Sequence, residues 1–180
     1  PITELAKDVE ALKIGQRLYS QNCSQCHGSD ARGQRGFPNL TDDDWLYGGS
    51  PEKITETLIN GRRAMMPAQL DAMGEKGIEE LVAYVLSLSN RPDLEQTMVD
   101  AGQARFAICA ACHGQDGKGN QLIGSPNLTD QIWLYGGTDK ALTETLRYGR
   151  NGVMPAFKTT LGEKKIHLVS AYVYSLSQDK

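Results

Sequence analysis

Two Cys-x-x-Cys-His-Gly segments, Cys23-Ser24-Gln25-Cys26-His27-Gly28 and Cys109-Ala110-Ala111-Cys112-His113-Gly114, use all four cysteines of the chain. That spacing is the attachment signature of c-type haem. The two thiols of each pair add covalently to the porphyrin vinyl groups, and the adjacent histidine lies beneath the iron. A chain built this way has to close twice on a large flat apolar macrocycle. The competing uses of such pairs fit poorly. Zinc ribbons place their pairs about 15–20 residues apart, whereas these lie 86 apart. A thioredoxin-like redox pair has no need of a histidine after it.

Length and composition agree with two small haem-filled domains. The chain has 180 residues, of which 39% are hydrophobic and 7% aromatic. Halves of about 90 residues bury only a limited core by themselves. The macrocycles supply the missing interior, so the haem-free chain is expected to fold poorly, as proteins do whose cofactor site and fold form together. The whole formal charge of −3 falls in residues 1–92, and residues 93–180 are neutral. There is no basic stripe for nucleic acid, and haem propionates add further negative charge. The longest membrane-like run, Leu81–Leu86, is far short of the ~20 apolar residues a spanning helix needs. The sequence opens at Pro1 with no signal peptide. Because haem is attached outside the bacterial cytoplasm, a targeting segment or membrane anchor is expected to precede it.

The second half restates the first. Pro38-Asn39-Leu40-Thr41-Asp42 returns as Pro126-Asn127-Leu128-Thr129-Asp130, and Trp45-Leu46-Tyr47-Gly48-Gly49 as Trp133-Leu134-Tyr135-Gly136-Gly137. Gly61-Arg62 leading to Met66-Pro67-Ala68 returns as Gly149-Arg150 leading to Met154-Pro155-Ala156. The offset is 86 at the cysteines and 88 afterwards, so copy two carries a two-residue insertion between His113 and Pro126. Two units are a tandem duplication rather than a solenoid. The expected domains are 1–92 and 93–180, divided at Asn90-Arg91-Pro92-Asp93.

Each copy reads as helical. A first helix runs over 11–22 into the haem motif. Ser50-Pro51 is a helix start with a serine cap and proline in the first turn, ending at Gly61, and Thr138 takes the cap role in copy two. Ile78, Leu81, Val82, Val85 and Leu86 follow the i, i+3, i+4, i+7, i+8 stripe of an amphipathic helix. Ile166, Val169 and Val173 keep that stripe, with Ser170 and Tyr174 substituted. No alternation suggests strands. The glycine-rich stretches after His27 and His113 read as loops passing close to a haem edge.

His27 and His113 are the expected proximal iron ligands. The sixth ligand of each copy is expected from Met66 and Met154, which share one repeat position and each precede proline. Met65 aligns with Val153, which cannot bind iron, so it reads as packing. Met73 and Met98 have no repeat partner and read as ordinary apolar residues. His167 aligns with Glu79 and reads as a surface histidine. Histidine–methionine ligation favours ferrous iron and raises the reduction potential. With both axial positions filled, no open site awaits dioxygen or peroxide. The chain is expected to carry one electron per haem and to catalyse no bond chemistry itself.

These motifs resemble class I cytochrome c domains throughout. More narrowly, Pro-Asn-Leu-Thr-Asp followed by Trp-Leu-Tyr-Gly-Gly, present twice, resembles the dihaem subunit (subunit III, CcoP/FixP) of cbb3-type cytochrome c oxidase. The resemblance covers residues 11–180. It implies an all-α fold of two tandem class I cytochrome c domains, each wrapped around one covalent haem c. It also implies that the carbonyls of Pro38 and Pro126 orient the ligating histidines, with Leu40 and Leu128 packed on the ring. Trp45, Tyr47, Trp133 and Tyr135 then wall the pocket or bond a propionate, and Arg62 and Arg150 pair with propionates; plain packing or a solvated charge is the other reading of these six. The implied place is the periplasmic side of the bacterial inner membrane. There the chain would take electrons from a soluble cytochrome c and pass them to the monohaem and catalytic subunits of the oxidase. A free periplasmic dihaem shuttle of the cytochrome c(4) type is the alternative. A dihaem peroxidase or the cytochrome subunit of a dehydrogenase is a third, distinguished by carbon monoxide binding to the reduced protein.

Overall fold

The computed structural model describes residues 1–178; the last two residues of the expected second domain lie outside the described residues. In chain order the elements are α1 (Ile2–Leu5), α2 (Val9–Asn22), α3 (Ser24–His27), α4 (Pro51–Asn60), β1 (Arg62–Met66), α5 (Leu70–Leu88), α6 (Gln96–Arg105), α7 (Ala107–His113), α8 (Asp139–Tyr148), β2 (Arg150–Met154) and α9 (Lys158–Ser175). Local chemistry explains the helix ends. Ser50 Oγ accepts the Lys53 N–H at 3.3 Å, with Pro51 in the first turn of α4, and Thr138 Oγ1 accepts the Ala141 N–H at 3.2 Å at the start of α8. Asp8 caps α2 by accepting the N–H groups of Glu10 and Ala11, so the helix starts two residues before the expected Ala11.

The protein is mostly helical with one small sheet, in which β1 pairs with β2. No strands were expected. Neither Arg-Arg-Ala-Met-Met nor Arg-Asn-Gly-Val-Met alternates in polarity, and each pairs with its own repeat counterpart rather than with a neighbour in sequence. Burial does alternate: Arg62, Ala64 and Met66 are half-buried, while Arg63 and Met65 are exposed, and β2 repeats this pattern.

The packing units do not follow the repeats. One unit comprises 1–63 and 153–180, and the other comprises 64–152. The contacts that hold each unit cross the expected division at residue 92, so each unit takes its first half from one copy and its second half from the other.

In the first unit α2 lies against α9. A Cβ on Gly15 would sit 2.5 Å from the Leu168 carbonyl oxygen, and the Tyr19 ring lies 5.6 Å from that of Tyr172. The core joins Tyr19, Cys23, Ala31, Ile54 and Leu58 to Ile166, Val169 and Val173. Ser170, which interrupts the apolar stripe, is fully buried and accepts a hydrogen bond from Thr55 Oγ1 at 3.2 Å.

In the second unit α6 lies against α5 in the same manner. Gly102 meets the Glu80 carbonyl, and the Phe106 ring stands edge-on to Tyr84 at 5.1 Å. The expected stripe Ile78, Leu81, Val82, Val85 and Leu86 is buried here with Phe106, Ala110, Leu142 and Leu146. The first helices are alike where they grip the last ones. Gly15/Tyr19 and Gly102/Phe106 offer the same small-plus-aromatic grip, so α5 and α9 each fit either one.

Glu80 is 4% exposed and is held by Arg105 of α6, with Lys76 Nζ 3.8 Å away. Arg105→Met strands that carboxylate. Losing one partner of a buried pair costs about 3–5 kcal/mol, but Arg105 is partly solvated and Lys76 remains, so about 2–3 kcal/mol is expected. Glu80→Gln in the same background should restore much of it. Denaturant unfolding measures both, and an Arg105→Met midpoint equal to that of the parent would refute the role of the pair.

Candidate haem sites

Each haem motif ends a short helix with its histidine turned inward. His27 closes α3 at 7% exposure and His113 closes α7 at 8%. Nδ1 of His27 donates to the Pro38 carbonyl at 2.9 Å, and Nδ1 of His113 donates to that of Pro126 at 3.1 Å. A neutral imidazole with its proton on Nδ1 keeps its lone pair on Nε2. Burial pushes both imidazole pKa values below the usual range, with the proline contact opposing, so the neutral ring is the resting form.

The loops that return the prolines are fixed locally. The N–H of Gly33 donates to the His27 carbonyl, and that of Gly119 to the His113 carbonyl, both at 2.8 Å. Asn39 Oδ1 accepts both the N–H and the hydroxyl of Thr41 at 2.8 Å, and Asn127 does the same for Thr129. These turns explain why the Pro-Asn-Leu-Thr string recurs intact: the asparagine sets the bend that aims the proline carbonyl at the ring.

Burial pushes the Cys23 thiol up to about 11 and also raises that of Cys109. A dithiol redox motif lowers its nucleophile's pKa instead.

Arg62 lies over the Tyr47 ring at 4.6 Å, and Arg150 over Tyr135 at 4.5 Å. Thr57 and Glu56 hold Arg62, and Thr145 and Glu144 hold Arg150, through near-identical bonds. None of these four residues was expected at the site, although Thr55-Glu56-Thr57 recurs as Thr143-Glu144-Thr145. Among the described residues, Tyr47 OH, Arg62 Nη2, Arg147 Nε and Arg150 Nη2 are buried without a hydrogen-bond partner. Unmet buried donors call for an acceptor, and haem propionates are suitable carboxylate acceptors. With an imidazole nitrogen, two thiols and unmet cationic donors in each unit, the residues present fit a covalent haem.

Met66 and Met154 are both half-buried, and each packs on the core of the unit that holds the other copy's haem motif. Met154, like Leu40 and Trp45, packs against the first unit's core, which contains Cys23. Met66, like Cys109, Leu128 and Trp133, packs against the second unit's core. Met65 is 77% exposed and so does not pack as expected, while its counterpart Val153 is exposed too. Met73 packs against the second core as an ordinary apolar residue, and His167 is exposed.

Two attachment motifs, each set on a buried histidine oriented by a proline carbonyl, are the marks of the cytochrome c class. The family model described as cytochrome C oxidase, cbb3-type, subunit III, matches residues 10–85 and again 97–173. The chain belongs to this family. It is 50% identical over 99% of its length to the cbb3-type cytochrome c oxidase subunit CcoP of Rubrivivax gelatinosus, covering 59% of that protein. It is 42% identical to subunit FixP of Bradyrhizobium sp. (strain ORS 278), over 99% of this chain and 67% of the relative. It is also 42% identical to subunit CcoP of Rhodobacter capsulatus, over 97% of this chain and 67% of the relative. The chain thus spans about three fifths to two thirds of these relatives. Among the described residues, no helix is long and apolar enough to cross a membrane.

Proposed function

We propose that the chain carries electrons singly through two covalently attached haem c groups. It takes them from a soluble cytochrome c and delivers them to the haem-bearing core of a cbb3-type oxidase in aerobic respiration, on the periplasmic side of the bacterial inner membrane. The observation that carries this reading is the duplicated buried histidine, each with Nδ1 bound to a proline carbonyl and Nε2 left for iron. When bound, each haem supplies a one-electron ferric/ferrous couple. Cys23 and Cys26, and likewise Cys109 and Cys112, tether it. His27 and His113 are the proximal ligands, Met66 and Met154 the thioether ligands, and Arg62 and Arg150 meet propionates. The oxidase assignment draws its support from the family match over both copies and the similarity of nearly all of this chain to part of the CcoP and FixP proteins.

A haem-stained gel of membrane and soluble periplasmic fractions tests the placement. A membrane band larger than the 19.7 kDa of this chain is expected. A soluble band of that size would favour the free shuttle and overturn the oxidase reading.

Met66→Ala and Met154→Ala test the ligand set. Each variant should keep both haems attached and lose about half of the red-region methionine–iron absorption. Each should gain carbon monoxide binding at one haem and lower that haem's potential. Met65→Ala should leave the spectrum unchanged. Full methionine–iron absorption in both of the first two variants would refute the ligand assignment.

A further inference from the structure

We infer that the second unit carries the docking surface for the electron donor, an exposed apolar patch of Ile108, Leu122 and Ile123 by Cys112, and that electrons enter at the haem held by Cys109 and Cys112. This rests on the electron-transfer reading proposed above and adds where the donor docks and by what chemistry. Ile108 is 62% exposed, Leu122 86% and Ile123 48%. Cys112, one of the two haem anchors of this unit, is itself exposed, whereas Cys26 is half-buried. Along α7, Ile108, Ala111 and Cys112 stand at i, i+3 and i+4 and form one exposed face. The turn that carries Leu122 and Ile123 leaves the same end of α7, where the Gly119 N–H donates to the His113 carbonyl at 2.8 Å.

The first unit holds the same parts without the patch. Asn22 and Gln25 stand where copy two has Ile108 and Ala111. Gln34 bridges to Phe37 across two residues, and Asn120 bridges to Ser125 across four. The additional pair is Leu122-Ile123, so the two-residue insertion of copy two lies at the tip of this turn. In copy one the apolar residue of the turn, Phe37, stands edge-on to His27 with ring centroids 6.3 Å apart. In copy two Ser125 takes its place, and the apolar side chains are exposed instead. The turn closes without Leu122 and Ile123 in copy one, so folding does not require them. Large apolar side chains grouped on one exposed face mark contact with another molecule.

The occupant is a small redox protein whose haem edge is rimmed by uncharged, apolar side chains. The patch adjoins an exposed haem anchor, and an electron crosses most readily where the haem comes nearest the surface. Between Gly114 and Ser125 the only charged residues are Asp116 and Lys118, one of each sign and both exposed, so a partner ringed by charges of one sign finds no complement here. Three large side chains cover far less than the ~800 Å² per partner of a stable complex and suit the brief encounters of electron-transfer proteins. One electron passes per encounter: the donor's ferrous iron becomes ferric, and the haem on Cys109 and Cys112 becomes ferrous.

The test mixes the oxidised, haem-loaded chain with a reduced soluble monohaem cytochrome c whose haem edge has an apolar rim, under stopped flow. Ile108→Lys, Leu122→Lys and deletion of Leu122 with Ile123 should each lower the second-order rate constant roughly tenfold, the loss of one apolar anchor from an interface. Their haem absorption should match that of the parent. Gln21→Lys, on the exposed helix face before the first unit's haem motif, should leave the rate unchanged. The rate of the unaltered chain should vary little with ionic strength. Amide shifts on adding the donor should gather in residues 104–112 and 120–124. Unchanged rates in the three patch variants, slowing by Gln21→Lys alone, steep salt dependence, or amide shifts gathered in the first unit would each overturn the docking site and leave electron transfer standing. A dimer that Leu122→Lys dissociates in sedimentation, with the rate unchanged, makes a second copy the occupant and overturns it too. If the donor fails to reduce the unaltered chain while dithionite succeeds, the soluble-cytochrome reading falls as well.

Discussion

Cys109→Ser/Cys112→Ser is expected to yield a protein with one covalent haem in which residues 64–152 lose their protection while the remainder keeps it. The second unit encloses few fully buried side chains, and Met66, Cys109, Leu128 and Trp133 stand half-buried at the border of its core. Without the macrocycle their apolar faces meet water, at roughly 25 cal/mol per Å², and the imidazole of His113 is left buried without its metal. Loss of a group that anchors a small core belongs to the rare class of changes worth about 4 kcal/mol or more. Limited proteolysis with peptide mapping gives a pattern particular to this fold. Cleavage should appear within α5, which belongs to copy one, and spare α9, which belongs to copy two. Cleavage confined to residues 93–180 would mean that the units follow the repeats after all. Unchanged resistance throughout would mean that the haem contributes little to the fold.

Features encoded within a few residues were legible in the sequence. The caps at Ser50 and Thr138, the break between α5 and α6 and the apolar stripes of α5 and α9 all depend on neighbours in the chain. The stripe says which face of a helix is buried, but not against which copy. With Gly15/Tyr19 and Gly102/Phe106 presenting equivalent surfaces, nothing in a periodic pattern distinguishes own copy from other copy. The first-helix equivalence itself was hidden, because Gly15 and Gly102 align at an offset of 87 while the cysteines align at 86. The ribbon of β1 and β2 was invisible for a related reason, since each strand has its repeat counterpart as partner.

The site divides in the same way. The cysteines and histidines announce themselves by spacing, and Pro38 and Pro126 stand where the class I resemblance put them, on the Nδ1 atoms of the histidines. The residues that hold the arginines, Glu56, Thr57, Glu144 and Thr145, were present in the repeat but lacked a recognisable chemistry of their own. Met66 and Met154 could be singled out by residue type and repeat position. Their seats depend on contacts with the C-terminal ends of α4 and α8, from Gln69 to Leu146 and from Leu58 to Phe157, far apart in the sequence.

Gly102→Val is expected to be among the most destabilising single substitutions in the chain. A Cβ at this position would lie 2.0 Å from the Glu80 carbonyl oxygen, 2.7 Å from its carbon and 2.7 Å from Tyr84 Cβ. The first two obstacles are main chain in the middle of α5, so no rotamer change relieves them. Overpacking a well-packed site costs typically 1–3 kcal/mol. Here α5 and α6 must separate, which also pulls Arg105 from Glu80 and Phe106 from Tyr84, so a loss of about 3 kcal/mol or more is expected. Gly152→Ala is the control: the nearest atom to its Cβ would be Tyr135 Oη at 3.9 Å, and a change within about 0.5 kcal/mol is expected. Chemical denaturation gives the magnitudes, and amide hydrogen exchange gives the location. In Gly102→Val, protection should fall in α5 and α6 together and persist in α2 and α9. If α9 lost protection instead of α5, then α6 would be gripping the last helix of its own copy, and the exchanged pairing of the helices would be wrong.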